Sequence, residues 1–524
     1  MKLSDIRTYL ASVNIQLPYE FQLYILRDIV ELLGYSNDKI KYSLINVVSS
    51  LFIEIENGST CYEIEMGSEF IDYYYQGYFT KIITEDERNK NFFVLKRFEK
   101  DGKFFISTYR HFVDEMIVGG YISERIKKNI NSLNFLEINN ESTIDMILSN
   151  NISVITGPPG SGKTTLATRI YRRLKEIFKD KKIPNIKICA PTGKAANVLT
   201  SKVGGEIESY TIHRLLSYNP SYNSFRFNRE NRLECDLLIV DEASMIDLTL
   251  FRALLEGLDD DSKIIIIGDK NQLPPVGEGA VFSELVNLLK EYVIELKKVY
   301  RTENRRIIDI ADRVKEGDGR IKESIEYIDL NRLVNSDIKY FDNGVYFVDL
   351  DNRKIKIAID FYLKILAEEK SSIILTFTNR GLRGSDTINN IVLNSYVKNY
   401  YIKDVPIIIT RNDYENNLFN GDILYLDRKK GIAYLDEIGY NINLIKDYKY
   451  AFAVTVHKSQ GSEYNNVFIF LPDNSDSPML SREILYTAIT RAKERVFIFG
   501  KEETLKKCFE IKLRRSSMLK YFIN

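Results

Sequence analysis

Residues 157–164 read Gly-Pro-Pro-Gly-Ser-Gly-Lys-Thr, entered from the apolar run Ile152–Thr156 and followed by a helix-like stretch over 165–178. No other feature restricts the fold as much. A glycine loop between strand and helix belongs to a parallel α/β sheet, with its ligand at the carboxyl ends of the strands. Gly157, Pro158, Pro159, Gly160, Ser161 and Gly162 can wrap a polyphosphate with backbone N–H groups, and the helix N-terminus adds partial positive charge. Lys163 is placed to reach the β- and γ-phosphates and Thr164 to ligate Mg²⁺, with Thr165 continuing the same cradle. The motif predicts a nucleoside triphosphate site.

The rest of the chain decides what binding would drive. Its 524 residues exceed one typical core and predict roughly three or four domains. With 44% hydrophobic and 28% charged residues, the composition is that of a globular protein in water. Lys+Arg and Asp+Glu number 73 each, so no global basic field marks a polyanion partner, and any nucleic-acid surface must be a local groove. Cys61, Cys189, Cys235 and Cys508 lie far apart without a C-x-x-C pair, which argues against a zinc module or disulfide scaffold and fits a reducing cytoplasm. No run reaches the ~18 apolar residues of a membrane span, so a cytoplasmic chain with no membrane partner is expected.

Three zones differ in texture. Residues 1–135 are helix-like with aromatic patches (Tyr73-Tyr74-Tyr75, Phe92-Phe93). Over 136–334, strand-like runs alternate with helical stretches, among them Ile186–Ala190, Leu237–Val240 and 264–267. Over 335–524 a second alternation appears, with 372–377 and 467–471 as core strands. It is interrupted near 405–450 by short segments such as 423–426 and Ile432–Leu435, which predict a small inserted β module. No internal repeat is evident. The predicted fold class is α/β: two parallel-sheet domains, a β insertion in the second, and a mainly helical N-terminal domain.

The later motifs fall at strand ends. Leu237–Val240 runs into Asp241-Glu242. Downstream of a phosphate loop, Asp241 can hold Mg²⁺ through its shell and Glu242 can polarise an attacking water. The run 264–267 leads to Gly268-Asp269-Lys270-Asn271-Gln272, where Gln272 can bridge the γ-phosphate or its water; otherwise it is a solvated turn residue. Arg301, after Val299-Tyr300, and Arg491, after Ile489-Thr490, offer the planar charged fork that suits a transferring phosphoryl group, although most arginines are surface residues. Two of the three histidines, His213 and His457, sit in motif-like surroundings without metal-ligand spacing. A structural hydrogen bond and a nucleic-acid contact remain open for both.

In order, the chain carries GPPGSGKTT, APTGKAA (190–196), TIHRLL (211–216), DEASMID (241–247), GDKNQLPPVGEGAVFSEL (268–285), TVHKSQGSE (455–463) and LYTAITRAK (485–493). This set resembles the motifs of superfamily 1B helicases, the RecD group most closely. Val405-Pro406-Ile407, Thr410-Arg411-Asn412-Asp413-Tyr414 and Leu418-Phe419-Asn420-Gly421-Asp422-Ile423 resemble that group's SH3-like insertion. The resemblance implies two RecA-like motor domains with ATP between them, bound by Lys163, Thr164, Asp241, Glu242, Gln272, Arg301 and Arg491. It places Pro191, Thr192, His213, His457 and Lys458 against single-stranded DNA, makes Ser459-Gln460-Gly461 with Glu463 the coupling segment, and gives 5′→3′ movement. It also implies work beside RecB-like and RecC-like chains in double-strand break repair. A stand-alone helicase and an assembly subunit with an idle ATPase are the alternatives.

Two departures stand out. The adenine-reading glutamine usual before the phosphate loop is missing; Ser142 occupies its place, and Asn140 or Glu141 could substitute. The N-terminal zone lacks the helix-hairpin-helix modules of stand-alone RecD-like helicases and loosely resembles a partner-docking domain. A short hairpin is expected within 217–234. The alternation Phe225-Arg226-Phe227 through Arg232 reads as a duplex-splitting pin or an ordinary surface hairpin. Lys506, Lys507, Lys512, Arg514 and Arg515 read as a solvated helix face. No carboxylate cluster of a two-metal nuclease is visible outside the ATP motifs.

Overall fold

The computed structural model describes the chain except residues 87–89, 99–100, 129–142, 180–182, 203–206, 298–304, 321–323, 370, 395–403, 414, 417, 436 and 524. Two six-stranded sheets, parallel throughout, form its centre. Across the first run Val293–Glu295, Ile152–Thr156, Lys263–Gly268, Leu237–Val240, Ile186–Ala190 and Ser209–Thr211. Its three central strands are buried along their whole length, as continuous apolar runs must be when helices cover both faces. The helix Lys163–Ile177 covers one face through Leu166, Ile170 and Leu174. Helices Leu248–Gly257 and Val281–Leu288 cover the other, joined by Tyr109–Lys127, a helix from the zone the sequence groups with the N-terminus.

The second sheet orders Glu326–Tyr327, Gly344–Asp349, Ala492–Gly500, Tyr464–Phe470, Ser372–Thr376 and Ala453–Thr455. Apart from one edge strand each, the chain visits the two sheets in the same spatial order. The two units therefore duplicate each other in topology, a repeat that the sequence pattern conceals. One trace survives in residues: Thr211-Ile212-His213-Arg214 and Thr455-Val456-His457-Lys458 both follow the same edge strand of their sheets.

Between Ser372–Thr376 and Ala453–Thr455 lies a five-stranded antiparallel sheet over Asp404–Tyr450, the expected β insertion. Val405, Ile407 and Leu424 share the core of the second unit, so the module is packed onto it rather than tethered to it. The N-terminal zone is mainly helical: Tyr73-Tyr74-Tyr75 closes the helix Glu69–Tyr75, while the second aromatic patch opens the strand Phe93–Phe98, which joins Lys103–Thr108 in a four-stranded sheet.

After the helix Glu502–Glu510 the chain leaves the second unit and returns to the N-terminal one. The Thr60 amide donates to the Ser516 carbonyl at 3.0 Å, and Tyr521 stacks on Phe98 at 3.8 Å. Between them the Ser517 hydroxyl lies 2.6 Å from a Glu115 carboxyl oxygen and 2.8 Å from one of Glu284. A hydroxyl has one proton, so one of these two acids must supply the other. Glu115 already accepts from Thr60 Oγ1 (2.6 Å) and from the Met518 amide (3.0 Å), which assigns the proton to Glu284. Burial pushes Glu115 up to about 7, and burial beside Glu115 pushes Glu284 up to about 8.

Both folded values exceed that of an unfolded glutamate, so this contribution to stability is complete at low pH and is lost as pH rises toward 8. Stability should fall between about pH 5 and 8, each group adding a slope of up to ~1.4 kcal/mol per pH unit. Glu284→Gln keeps a donor without the charge and should flatten that slope in urea unfolding. A slope identical to the parent's would contradict the shared proton.

Candidate nucleotide and nucleic-acid site

Gly160 (φ 77°) and Gly162 (φ 87°) take the left-handed conformation that turns the loop back over the helix Lys163–Ile177. Gly157 is hemmed in: a Cβ there would lie 2.7 Å from the Leu296 carbonyl and from Ser161 Oγ. Lys163 Nζ donates to the carbonyls of Gly157 (2.6 Å) and Pro158 (3.0 Å), so the ammonium is held over the loop. Thr164 Oγ1 donates to Asp241 Oδ2 at 3.2 Å, and the Glu242 amide donates to Asp241 Oδ1 at 2.8 Å. Glu242 itself is in the left-handed region (φ 53°), a conformation costly for a non-glycine residue. Its side chain lines the same cleft as the loop. Burial and the neighbouring Asp241 raise Glu242 above the usual carboxylate range, and Lys163 and Arg491 oppose the rise.

These groups line a cleft of about 590 Å³ between the two α/β units. Lys163, Thr164, Glu242 and Gln272 face it from one side, and Gly461, Glu463 and Arg491 from the other. Among the buried polar atoms at this site, Ser161 Oγ, Gln272 Oε1 and Arg491 Nη2 have no protein partner. Groups left unpaired at this depth are costly without a ligand, and their types suit phosphate oxygens and a water. The residues present therefore fit a nucleoside triphosphate, with Thr164 and Asp241 as the oxygen donors suited to Mg²⁺.

The two sides are bonded through the loop that follows Lys263–Gly268. The Leu273 amide donates to Thr487 Oγ1 at 2.9 Å, and Gln460 Nε2 donates to the Leu273 carbonyl at 3.3 Å. Tyr486 donates to Asp269 Oδ2 at 2.9 Å, and Lys194 Nζ donates to Ser462 Oγ at 2.6 Å. Arg491 is fixed by the carbonyls of Thr487 (3.1 Å) and Ser462 (3.2 Å). Tyr486, Thr487 and Lys194 were missed as individual residues. Each lies inside a recognised motif, but letters do not tell which way a side chain points.

Pro191 and Thr192 follow the Ile186–Ala190 strand, where Thr192 Oγ1 accepts the Ala195 amide (3.3 Å) and Phe419 of the β insertion packs on Gly193. His213 is exposed and leans on Tyr218 and Phe225, ring centroids 5.4 and 5.7 Å away. Lys458 is exposed; His457 is half-buried, and burial with the Arg515 charge holds it below the usual imidazole range. The hairpin pairs Tyr218–Asn219 with Ser224–Phe225, putting Tyr222 at its tip, 80% exposed. In the stretch from Phe225 to Arg232, Phe225 and Phe227 pack on the first core, and Arg232 donates to the carbonyls of Glu256 and Leu258. Arg515 is likewise not a solvated residue. It donates to the carbonyls of Pro275, Gly277 and Gly279. Arg301, Asn140, Glu141 and Ser142 lie outside the described residues.

Thr487→Val removes the acceptor of the buried Leu273 amide at nearly constant volume. It should destabilise the contact between the units by about 1–3 kcal/mol in chemical unfolding. A loss below about 0.3 kcal/mol would mean that this hydrogen bond does not hold the units together.

Comparison with known proteins agrees with this geometry. Residues 140–278 match an AAA domain model and 450–499 a UvrD-like helicase C-terminal domain. The RecBCD enzyme subunit RecD of Buchnera aphidicola is 31% identical over 68% of this chain and 72% of its own. That of Mycolicibacterium smegmatis is 32% identical over 71% of this chain and 72% of its own. The ATP-dependent RecD2 DNA helicase of Deinococcus radiodurans is 31% identical over 68% of this chain and 48% of its own. Among solved structures, the Pif1 helicase of Candida albicans shares 17% identity over 69% of this chain and 93% of that one, with a TM-score of 0.41. With its phosphate loop, its paired α/β units and its cleft between them, the chain belongs to the RecD family of ATP-dependent DNA helicases.

Proposed function

We propose that the chain is the 5′→3′ motor of a RecBCD-type helicase, working beside RecB-like and RecC-like subunits in double-strand break repair. The observation that carries this reading is the cleft itself, where Lys163, Glu242 and Gln272 of one unit face Arg491 of the other. Mg²⁺, when held by Thr164 and Asp241, would screen the phosphate charge as it shifts to the leaving group. In this scheme the loop from Gly157 to Thr165 cradles the triphosphate, and Glu242, once ionised, takes a proton from the attacking water. Gln272 orients that water, and Arg491 stabilises charge from across the cleft. Arg301 is assigned the same role from its motif alone.

Pro191, Thr192 and His213 on one unit, and His457 and Lys458 on the other, are proposed to hold single-stranded DNA. The shared placement of the two Thr-x-His segments supports this, because a motor needs equivalent grips on both units that alternate as the cleft opens and closes. RecB-like and RecC-like partners are proposed because the RecD relatives are subunits of RecBCD enzymes. A self-sufficient helicase is the competing reading, favoured by the likeness to the Deinococcus protein.

Unwinding of duplexes with a 5′ or a 3′ single-stranded tail separates these readings. The purified chain should open the 5′-tailed substrate alone, weakly, and gain rate when RecB-like and RecC-like chains are added. Opening of the 3′-tailed substrate instead would refute the polarity. Full activity without partners would favour the stand-alone helicase. Lys163→Gln should reduce DNA-stimulated ATP hydrolysis by roughly a hundredfold or more while leaving assembly intact; unimpaired unwinding by this variant would refute the motor.

A further inference from the structure

We infer that Arg515 is a positioning residue for ATP hydrolysis: it sets the loop that carries Gln272, and does so from the second unit's own C-terminal extension. The inference rests on the motor reading above. Three backbone carbonyls, Pro275 (2.7 Å), Gly277 (2.8 Å) and Gly279 (2.8 Å), converge on this one guanidinium. Carbonyl dipoles aimed at a common point repel one another unless a cation sits there, so the loop's shape depends on that side chain. The cage is closed from behind by the N-terminal unit. The Gly279 amide donates to the Gly58 carbonyl at 2.8 Å, and a Cβ on Gly58 would lie 2.3 Å from the guanidinium carbon.

Arg515 is also tied to the second unit. The Arg482 amide donates to the Ile511 carbonyl at 2.8 Å, and the Leu513 amide to Glu483 at 3.1 Å. These bonds fasten the segment just before Arg515 to the helix Arg482–Ile489, whose Thr487 accepts the Leu273 amide and whose Tyr486 donates to Asp269. The second unit thus grips one loop of the first at two places, Leu273 and 275–279, immediately after Gln272. A shift of the units moves the loop as one piece and carries Gln272 with it. The phosphate loop has a separate scaffold, so nucleotide affinity should not depend on this grip.

The test is DNA-stimulated ATP hydrolysis by the full chain, with Arg514→Ala, at an exposed neighbour, as control. Arg515→Ala should lower kcat by roughly tenfold to a hundredfold, as misplacing a catalytic group does, and change KM for ATP by no more than about twofold. Millimolar methylguanidinium should restore part of the lost kcat, which a mere loss of stability would not allow. Unchanged kcat, or a rise in KM that accounts for the whole effect, would overturn the inference. If Arg515→Ala fails to fold, Arg515→Lys decides: it keeps the charge but not the fork, so parental kcat in that variant would also overturn it. A parent chain without DNA-stimulated hydrolysis would instead sink the motor reading, leaving the two failures distinguishable.

Discussion

Leu273 gives both its backbone groups to the other half of the molecule, its N–H to Thr487 and its C=O to Gln460. The position of the Gln272 loop against the other unit depends on this contact. Gln272, the residue before it, is buried with an oxygen that no protein group satisfies. Asp269, four residues upstream, is fixed by Tyr486 of the same opposing helix. The loop is therefore built by one unit and held by the other. The proposed sensor of the nucleotide thus lies in a segment that cannot move without disturbing the contact between the units. That is the mechanical requirement for converting hydrolysis into relative motion.

The rest of the architecture serves to make such a contact repeatable. Each sheet is parallel and buried on both faces, so its strands are rigid and its loops at the carboxyl ends are free to carry chemistry. Because the two sheets share one strand order, the segments at the ends of their equivalent edge strands, 211–214 and 455–458, occupy matching places in the two units. The C-terminal strand-and-tail path adds a second connection. After the last helix of the second unit, residues 511–523 run back over the first unit and the N-terminal sheet, locked by Arg515, Ser517 and the stacked Tyr521. All three parts of the chain meet around this strap.

Much of this was legible in the residues. A phosphate loop flanked by apolar strand and helix allows few folds, and the ordered motifs single out Lys163, Asp241, Glu242, Gln272 and Arg491 from the letters alone. The inserted β module announced itself by short strand-like runs inside an α/β pattern. Harder to see was the N-terminal sheet: Phe93–Phe98 and Lys103–Thr108 are short and aromatic, and local pattern does not say whether such runs pair with each other or pack on helices. Nor did the alternation over 225–232 show which side chains pack inward, since alternating aromatic and basic residues are compatible with exposure on either face until burial decides it.

The sequence by itself determined the phosphate loop, the acidic pair, the parallel α/β class and the motif order, because each rests on local backbone chemistry or a short periodic pattern. Only the tertiary structure decided which groups meet across the cleft, that Arg515 faces three carbonyls rather than solvent, and that Glu115 and Glu284 converge on the Ser517 hydroxyl. Those contacts join residues at least 187 positions apart. Their energies come from desolvation and geometry in the assembled fold, and no local pattern along the chain encodes either.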